Sequence, residues 1–188
     1  AARKFDPEKS ATWAPGKPVP YAFLVATFDL CAATTKRLEI TQHMCSLLRA
    51  VIATTPEDLL PCVYLSLNSV APAFEGIELG VGDSVLLKAV AQTCGRQEKH
   101  LKAALEAEGD LGAIAIKSRS TQSLMFKPEA LTVRKVYRTF RDIANVSGSK
   151  SQQGKIDKIK GLLVAAQGTE PQYIVRSLQG KLRVGLAE

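Results

Sequence analysis

The sequence predicts an all-α fold of about ten short helices, arranged as two copies of one helical unit related by a pseudo-two-fold. Three observations predict it. Aromatics make up 6% of the 188 residues while Ala, Leu and Val abound, a composition that favours helices over an aromatic-rich sheet. Apolar residues recur at helical spacing, whereas period-two alternation is weak and no Asn-Gly hairpin signal occurs. The chain also repeats itself. Tyr64-Leu65-Ser66-Leu67 and Leu79-Gly80-Val81-Gly82 are echoed by Val175-Arg176-Ser177-Leu178 and Leu182-Arg183-Val184-Gly185. Upstream, Thr27-Phe28 with Ala32 matches Thr139-Phe140 with Ala144, and Ser46-Leu47-Leu48 matches Gly161-Leu162-Leu163. Self-similarity at this range is the mark of a duplicated supersecondary unit.

The elements follow in order. Ala14–Pro20 holds three prolines, which remove donors and restrict φ, so it is a loop, pinned by Trp13 and Tyr21. A helix runs from Tyr21 to about Ala33 on Phe23, Leu24, Phe28 and Leu30. A second spans Leu38 to Ala53 with Ile40, Met44, Leu47, Leu48, Val51 and Ile52 inward. Thr55-Pro56-Glu57-Asp58 restarts the chain, with Thr55 as cap, Pro in the first turn and carboxylates near the positive helix end. The third helix carries Leu59, Val63, Leu65 and Leu67. Ser69–Gly76 is an extra loop that the second copy lacks. Asp83 or Ser84 caps a helix to about Thr93, closed by Gly95; a polar helix from Arg96 to Glu108 is closed by Gly109; Asp110–Ile116 makes another short one. Ser118–Pro128 is a basic, hydroxyl-rich connector.

The second copy begins near Leu131. Thr132 caps a helix to about Ile143, Ser147–Ser151 breaks it, and helices over Gln152–Ala166 and Glu170–Leu178 follow. The expected organisation is a single domain over 1–188, with copy one about 21–109, a connector about 110–130 and copy two about 131–188. Glu188 falls only a few residues into the counterpart of the Ser84–Thr93 helix, so copy two is expected to be cut short. The first residue is not Met, which points to an internal segment of a longer chain.

Composition bounds function. Hydrophobic content of 46% and charge of 23% are those of a globular protein. No apolar run approaches the roughly 20 residues that span a bilayer, and the N-terminus lacks a signal peptide's apolar block. Cys31, Cys45, Cys62 and Cys94 are irregularly spaced among apolar neighbours, without zinc-ligand spacing, and read as buried thiols in a reducing compartment. Charge is unevenly placed. Residues 1–109 carry 11 Lys/Arg against 12 Asp/Glu, and residues 110–188 carry 14 against 6. A basic half beside a neutral half suits a polyanion.

Catalytic signatures are missing. Leu79-Gly80-Val81-Gly82 has two of the three glycines of a dinucleotide fingerprint and no strand before it. Gly16-Lys17 and Gly180-Lys181 lack the Ser/Thr of a phosphate-binding loop, Ser147-x-x-Lys150 is too short to carry weight, and His43 has no acid partner in its pattern. Binding signatures are better. Between the helix ending at Gly180 and one expected after Gly185, two glycines allow close backbone approach while Lys181 and Arg183 add charge. Ser147–Ser151 and Thr34-Thr35-Lys36-Arg37 have the same character, and Gly80-Val81-Gly82 keeps the glycines without the cations. Such turns grip phosphate and sugar without reading bases. With neither a long basic recognition helix nor an aromatic platform, the expectation is sequence-independent duplex binding across the minor groove. A helical interaction module docking an acidic partner would share the charge pattern.

At these residues the chain resembles the N-terminal DNA-binding domain of eukaryotic replicative ATP-dependent DNA ligases, the DNA ligase I type. The matching stretches are Thr54–Asn68 (TTPEDLLPCVYLSLN), Gly76–Ala91 (GIELGVGDSVLLKAVA), Gly109–Lys127 with its SRSTQ core, and Arg176–Glu188 (RSLQGKLRVGLAE). The resemblance implies an all-helical domain that grips nicked double-stranded DNA across the minor groove. It also implies a monomeric nuclear enzyme of replication, repair and recombination, in which this domain closes a ring on DNA with a nucleotidyltransferase domain and an OB-fold. By position, the family's contacts fall on Thr35 and Arg37, on Gly148, Ser149 and Lys150, and on Gly180, Lys181, Arg183, Gly185 and Ala187, with Gly80 and Gly82 as further candidates. Ser118, Arg119, Ser120 and Thr121 match a family motif to which no contact role is assigned. The family's nucleophile is the Lys of Lys-x-Asp-Gly. The nearest match, Lys155-Ile156-Asp157-Lys158, lacks the Gly. ATP and Mg therefore belong to the parent enzyme, and no cofactor or metal is expected in this segment.

Overall fold

Ten α-helices follow one another in a computed structural model, which describes residues 5–118, 128–148 and 151–186. They are α1 (Pro7–Ser10), α2 (Tyr21–Ala32), α3 (Arg37–Thr54), α4 (Leu59–Ser66), α5 (Asp83–Cys94), α6 (Glu98–Glu108), α7 (Leu111–Ser118), α8 (Val133–Asn145), α9 (Ser151–Ala165) and α10 (Glu170–Leu178). Short 3-10 turns stand at Pro56–Asp58 and Ala73–Glu75, and no strand occurs among the described residues. Most of the basic connector, residues 119–127, lies outside them.

Local chemistry sets the helix ends. Thr132 caps α8 as expected, its hydroxyl accepting the Lys135 N–H at 3.2 Å. Asp110 does the same for α7, accepting from Gly112 and Ala113 at 2.9 and 3.3 Å. The starts of α2 and α8 satisfy each other: the Tyr21 N–H donates to Leu131 O and the Val133 N–H to Val19 O, both at 2.9 Å. Each helix thereby finds a partner for one of its orphan N-terminal donors in the segment leading into the other.

The core is one contiguous apolar cluster. At its centre α2 buries Tyr21, Leu24, Val25, Phe28 and Cys31, while α8 contributes Val133, Val136, Tyr137, Phe140 and Ile143. α5 packs on α9 and α7 packs on α10, and α4 lies against α3 and α8. The α7–α10 crossing is close: a Cβ on Gly112 would come within 2.7 Å of Gln172 O, so only glycine fits without a backbone shift. Asp58 is fully buried and ties three segments. Its carboxylate accepts from the Val19 N–H at 2.9 Å and from Arg134 Nε at 2.7 Å.

Several local expectations are corrected. Thr55 does not cap the third helix; its hydroxyl donates to Lys17 O at 2.7 Å and accepts from Trp13 Nε1 at 3.1 Å, holding the proline-rich loop to the core. Neither Asp83 nor Ser84 caps α5. The cap residue is Gly82, and the Asp83 carboxylate accepts from Gln179 Nε2 at 2.9 Å. Ile52, Val63, Leu67 and Leu30 point outward although their spacing reads as core. Helical period marks a face; what covers that face is a tertiary matter. Cys31, Cys62 and Cys94 are buried as expected, and burial pushes the Cys62 thiol up to about 12. Cys45 is exposed on α3, because that helix turns Ile40, Leu47, Ala50 and Val51 into the core instead.

Candidate nucleic-acid interface

The turn after α10 is built from its sequence upward. α10 ends in a Schellman motif, with the Gly180 N–H donating to Ser177 O at 3.0 Å and the Lys181 N–H to Arg176 O at 2.9 Å. Gly180 takes φ 70°, Arg183 φ 57° and Gly185 φ 72°. Three left-handed residues within six coil the backbone tightly, turning Leu182 and Val184 into the core and Lys181, Arg183 and Gly185 out to solvent. Arg183 is not fully free. Its guanidinium lies 3.8 Å from Asp110 Oδ2 and donates to Gly109 O at 3.5 Å, while about half its side chain remains exposed. Asp110 thus serves α7, Arg176 and Arg183 together. Burial alone would raise its pKa, but the hydrogen bond and charge of Arg176 and the α7 amides hold the carboxyl below its ordinary value.

Contacts bring three of the expected turns into one neighbourhood. The Val81 N–H donates to Leu178 O at 3.1 Å, and Gln179 bonds Asp83, which lays Gly80-Val81-Gly82 beside the end of α10. A Cβ on Gly185 would sit 3.1 Å from Ile40 Cδ1, which sets that turn against the first turns of α3, where Thr35 and Arg37 are exposed. Thr34, one residue earlier, organises that corner: its hydroxyl donates to Glu39 Oε2 at 2.7 Å and accepts from the Lys36 N–H at 3.2 Å. Lys36 also pairs with Glu39 at 2.8 Å.

Gly148 forms the α8–α9 corner with φ 92° and is exposed. No hydrogen bond or ion pair among the described residues links that corner to the other turns. Ser149, Lys150 and Ala187 lie outside the described residues, as do Arg119, Ser120 and Thr121; Ser118 is buried at the end of α7. Thr35, Arg37, Gly80, Gly82, Gly148, Gly180, Lys181, Arg183 and Gly185 are all exposed.

Sequence reasoning missed Asn68. It closes α4 in a left-handed conformation, φ 55°, and lines a recess of about 290 Å³ with Ser66, Leu67 and the Gly180–Leu186 turn. Its Oδ1 is buried without a partner among the described residues. The signal was present, since Asn is the residue after glycine that most readily adopts αL at a helix end.

The Lys155–Lys158 segment is helical. It lies within α9, where Lys155 and Asp157, two residues apart, project from different faces, and Asp157 accepts from Gln153 at 2.8 Å. No group of three metal-ligating side chains occurs among the described residues, and no described helix is long and apolar enough to cross a membrane.

Residues 20–188 match the family described as DNA ligase N terminus. The chain is 51% identical to DNA ligase 1 of Arabidopsis thaliana over 97% of its length and 23% of that protein's. It is 46% identical to DNA ligase 1 of Dictyostelium discoideum, over 98% of this chain and 16% of that protein. With DNA ligase 1 of Drosophila melanogaster the figures are 42%, 100% and 25%. The chain therefore spans a quarter or less of these relatives' length. Identity of this extent across the whole helical fold places the chain in the DNA ligase N-terminal family.

Proposed function

We propose that this chain holds nicked double-stranded DNA across the minor groove without reading its sequence. On this reading it serves a monomeric nuclear DNA ligase whose nucleotidyltransferase and OB-fold domains seal single-strand nicks with ATP and Mg. The observation that carries the reading is the Gly180–Gly185 turn. Its backbone coils through three left-handed residues with Lys181 and Arg183 outward, against the α3 corner and beside Gly80–Gly82. Turns of this kind offer close backbone approach and cations to phosphates, which give affinity and register but carry no base code. Thr35, Arg37, Gly80, Gly82, Gly180, Lys181, Arg183 and Gly185 are the proposed contacts. Gly148, Ser149, Lys150 and Ala187 extend the set.

Lys181→Ala is the cleanest probe, because Lys181 has no ion pair among the described residues, whereas Arg183 is shared with Asp110. Measured by fluorescence anisotropy on nicked duplexes, it should weaken binding equally across sequences and reduce the salt slope by about one. A loss confined to particular sequences, or an unchanged slope, would contradict backbone recognition. Binding of an acidic peptide in preference to duplex would favour the interaction-module reading instead.

A further inference from the structure

Arg183 stands where an arginine is least expected. Its φ of 57° lies in the left-handed region that side chains rarely adopt, and the other left-handed positions of this turn, Gly180 and Gly185, are glycines. Leu182 and Val184 on either side are 7% and 3% exposed, so the backbone between them is fixed, and the direction of the Arg183 Cβ with it. A glycine would make this turn without strain. What the side chain supplies must offset that strain, and a half-exposed ion pair at 3.8 Å contributes too little stability to do so.

Asp110 is the residue on which the guanidinium rests. Its Oδ1 accepts from the first amides of α7, Gly112 and Ala113, and its Oδ2 from Arg176 Nε at 3.1 Å and Nη2 at 2.5 Å. Arg176 is itself held over the Tyr173 ring, 5.7 Å from its centroid. The carboxylate is therefore fixed in place, and its charge is matched at contact distance by Arg176. Arg183 approaches more loosely: Nη1 lies 3.8 Å from Oδ2, and Nη2 donates to Gly109 O at 3.5 Å. Two guanidiniums share one carboxylate, so a net positive charge remains, on the arm that faces solvent. Without the carboxylate, Arg176 and Arg183 would repel each other across the place it occupied.

We infer that Asp110 is a positioning residue for phosphate binding: fixed by Arg176 and the α7 amides, it holds Arg183 aimed at the DNA backbone without cancelling its charge. The inference rests on the proposed function and adds to it a residue that touches no DNA. It runs against simple charge counting. Removing an acidic residue from a basic surface tightens polyanion binding where only net charge matters. Removing one that pre-orders a cationic arm weakens binding, because the arm's freedom is then lost on association.

The test compares full-length proteins on nicked duplex by fluorescence anisotropy at fixed salt. Asp110→Asn keeps an acceptor for the α7 amides and makes the protein more positive, yet it should bind roughly three- to tenfold more weakly. In an Arg183→Ala background the same substitution should cause no further loss, while in a Lys181→Ala background its full effect should persist. Equal or tighter binding by Asp110→Asn overturns the inference and makes Asp110 a counterion only. A loss that persists without the Arg183 side chain also overturns it, because Asp110 would then act through the fold. Thermal melts establish that each variant is folded. Should Asp110→Asn not be, Asp110→Ser, which retains a helix-capping oxygen without the charge, takes its place. Failure of the proposed function reads differently: Arg183→Ala and Lys181→Ala would both bind as the parent does, which removes this inference with it.

Discussion

Asp58 shows how much one residue can hold. It sits with no exposed surface and accepts from a backbone amide before α2 and from Arg134 on α8, so both halves of the chain converge on one carboxylate. Removing the carboxylate leaves the buried Val19 N–H without its acceptor and the partly exposed Arg134 without its partner, at a cost of about 1–3 kcal/mol. Asp58→Ala should lower the urea midpoint by a corresponding amount, and Asp58→Asn, which keeps an acceptor for the Val19 N–H, should lose less. Equal losses would show that the Val19 contact contributes nothing. Asp110 makes a pH prediction. Its carboxyl is held below the ordinary value of 3.8 when folded, so the charged form favours the native state. That contribution is complete above the unfolded pKa and vanishes as pH falls through the lower folded value. In Asp110→Asn, stability should therefore fall less steeply below about pH 4 than in the parent, as followed by thermal melts across pH. A parallel decline in both proteins would refute it.

Among the elements, the α7–α10 crossing is the most demanding. With Gln172 O only 2.7 Å from the place a Cβ would occupy, Gly112→Ala must separate the two helices or distort one. Overpacking of this kind typically costs about 1–3 kcal/mol. The melting temperature should drop, and a Gly161→Ala control, with open space at the same atom, should not show that drop. Helix existence was legible because capping chemistry and the 3.6-residue period are local. Thr132, Pro171 at the start of α10, Gly95 and Gly109 all act as their residue types suggest. The misread caps share one cause. Thr55 and Asp83 found better hydrogen-bond partners in distant segments, Lys17 and Trp13 for one and Gln179 for the other.

For the molecule as a whole, the excess of Lys/Arg over Asp/Glu after residue 109 makes the proposed binding an electrostatic matter. With about six phosphate contacts, affinity for nicked duplex should fall on the order of 10³-fold between 50 and 200 mM salt. A flat response would sink the proposed interface while leaving the fold untouched. Part of the basic excess is already engaged by carboxylates from before residue 110: Arg134 with Asp58 and Arg141 with Glu75. The formal charge thus overstates what a polyanion meets.

By itself the sequence determined helices α2 to α10 and the residue types at the turns, because propensity, period and capping act over a few neighbours. It also carried the family resemblance. Only the tertiary structure decided that the Gly80, Gly180–Gly185 and α3 turns lie together, that Arg183 is shared with Asp110, and that Asn68 lines the recess beneath the turn. Those outcomes depend on which helix packs on which, and packing is settled by the burial of surfaces far apart in the chain.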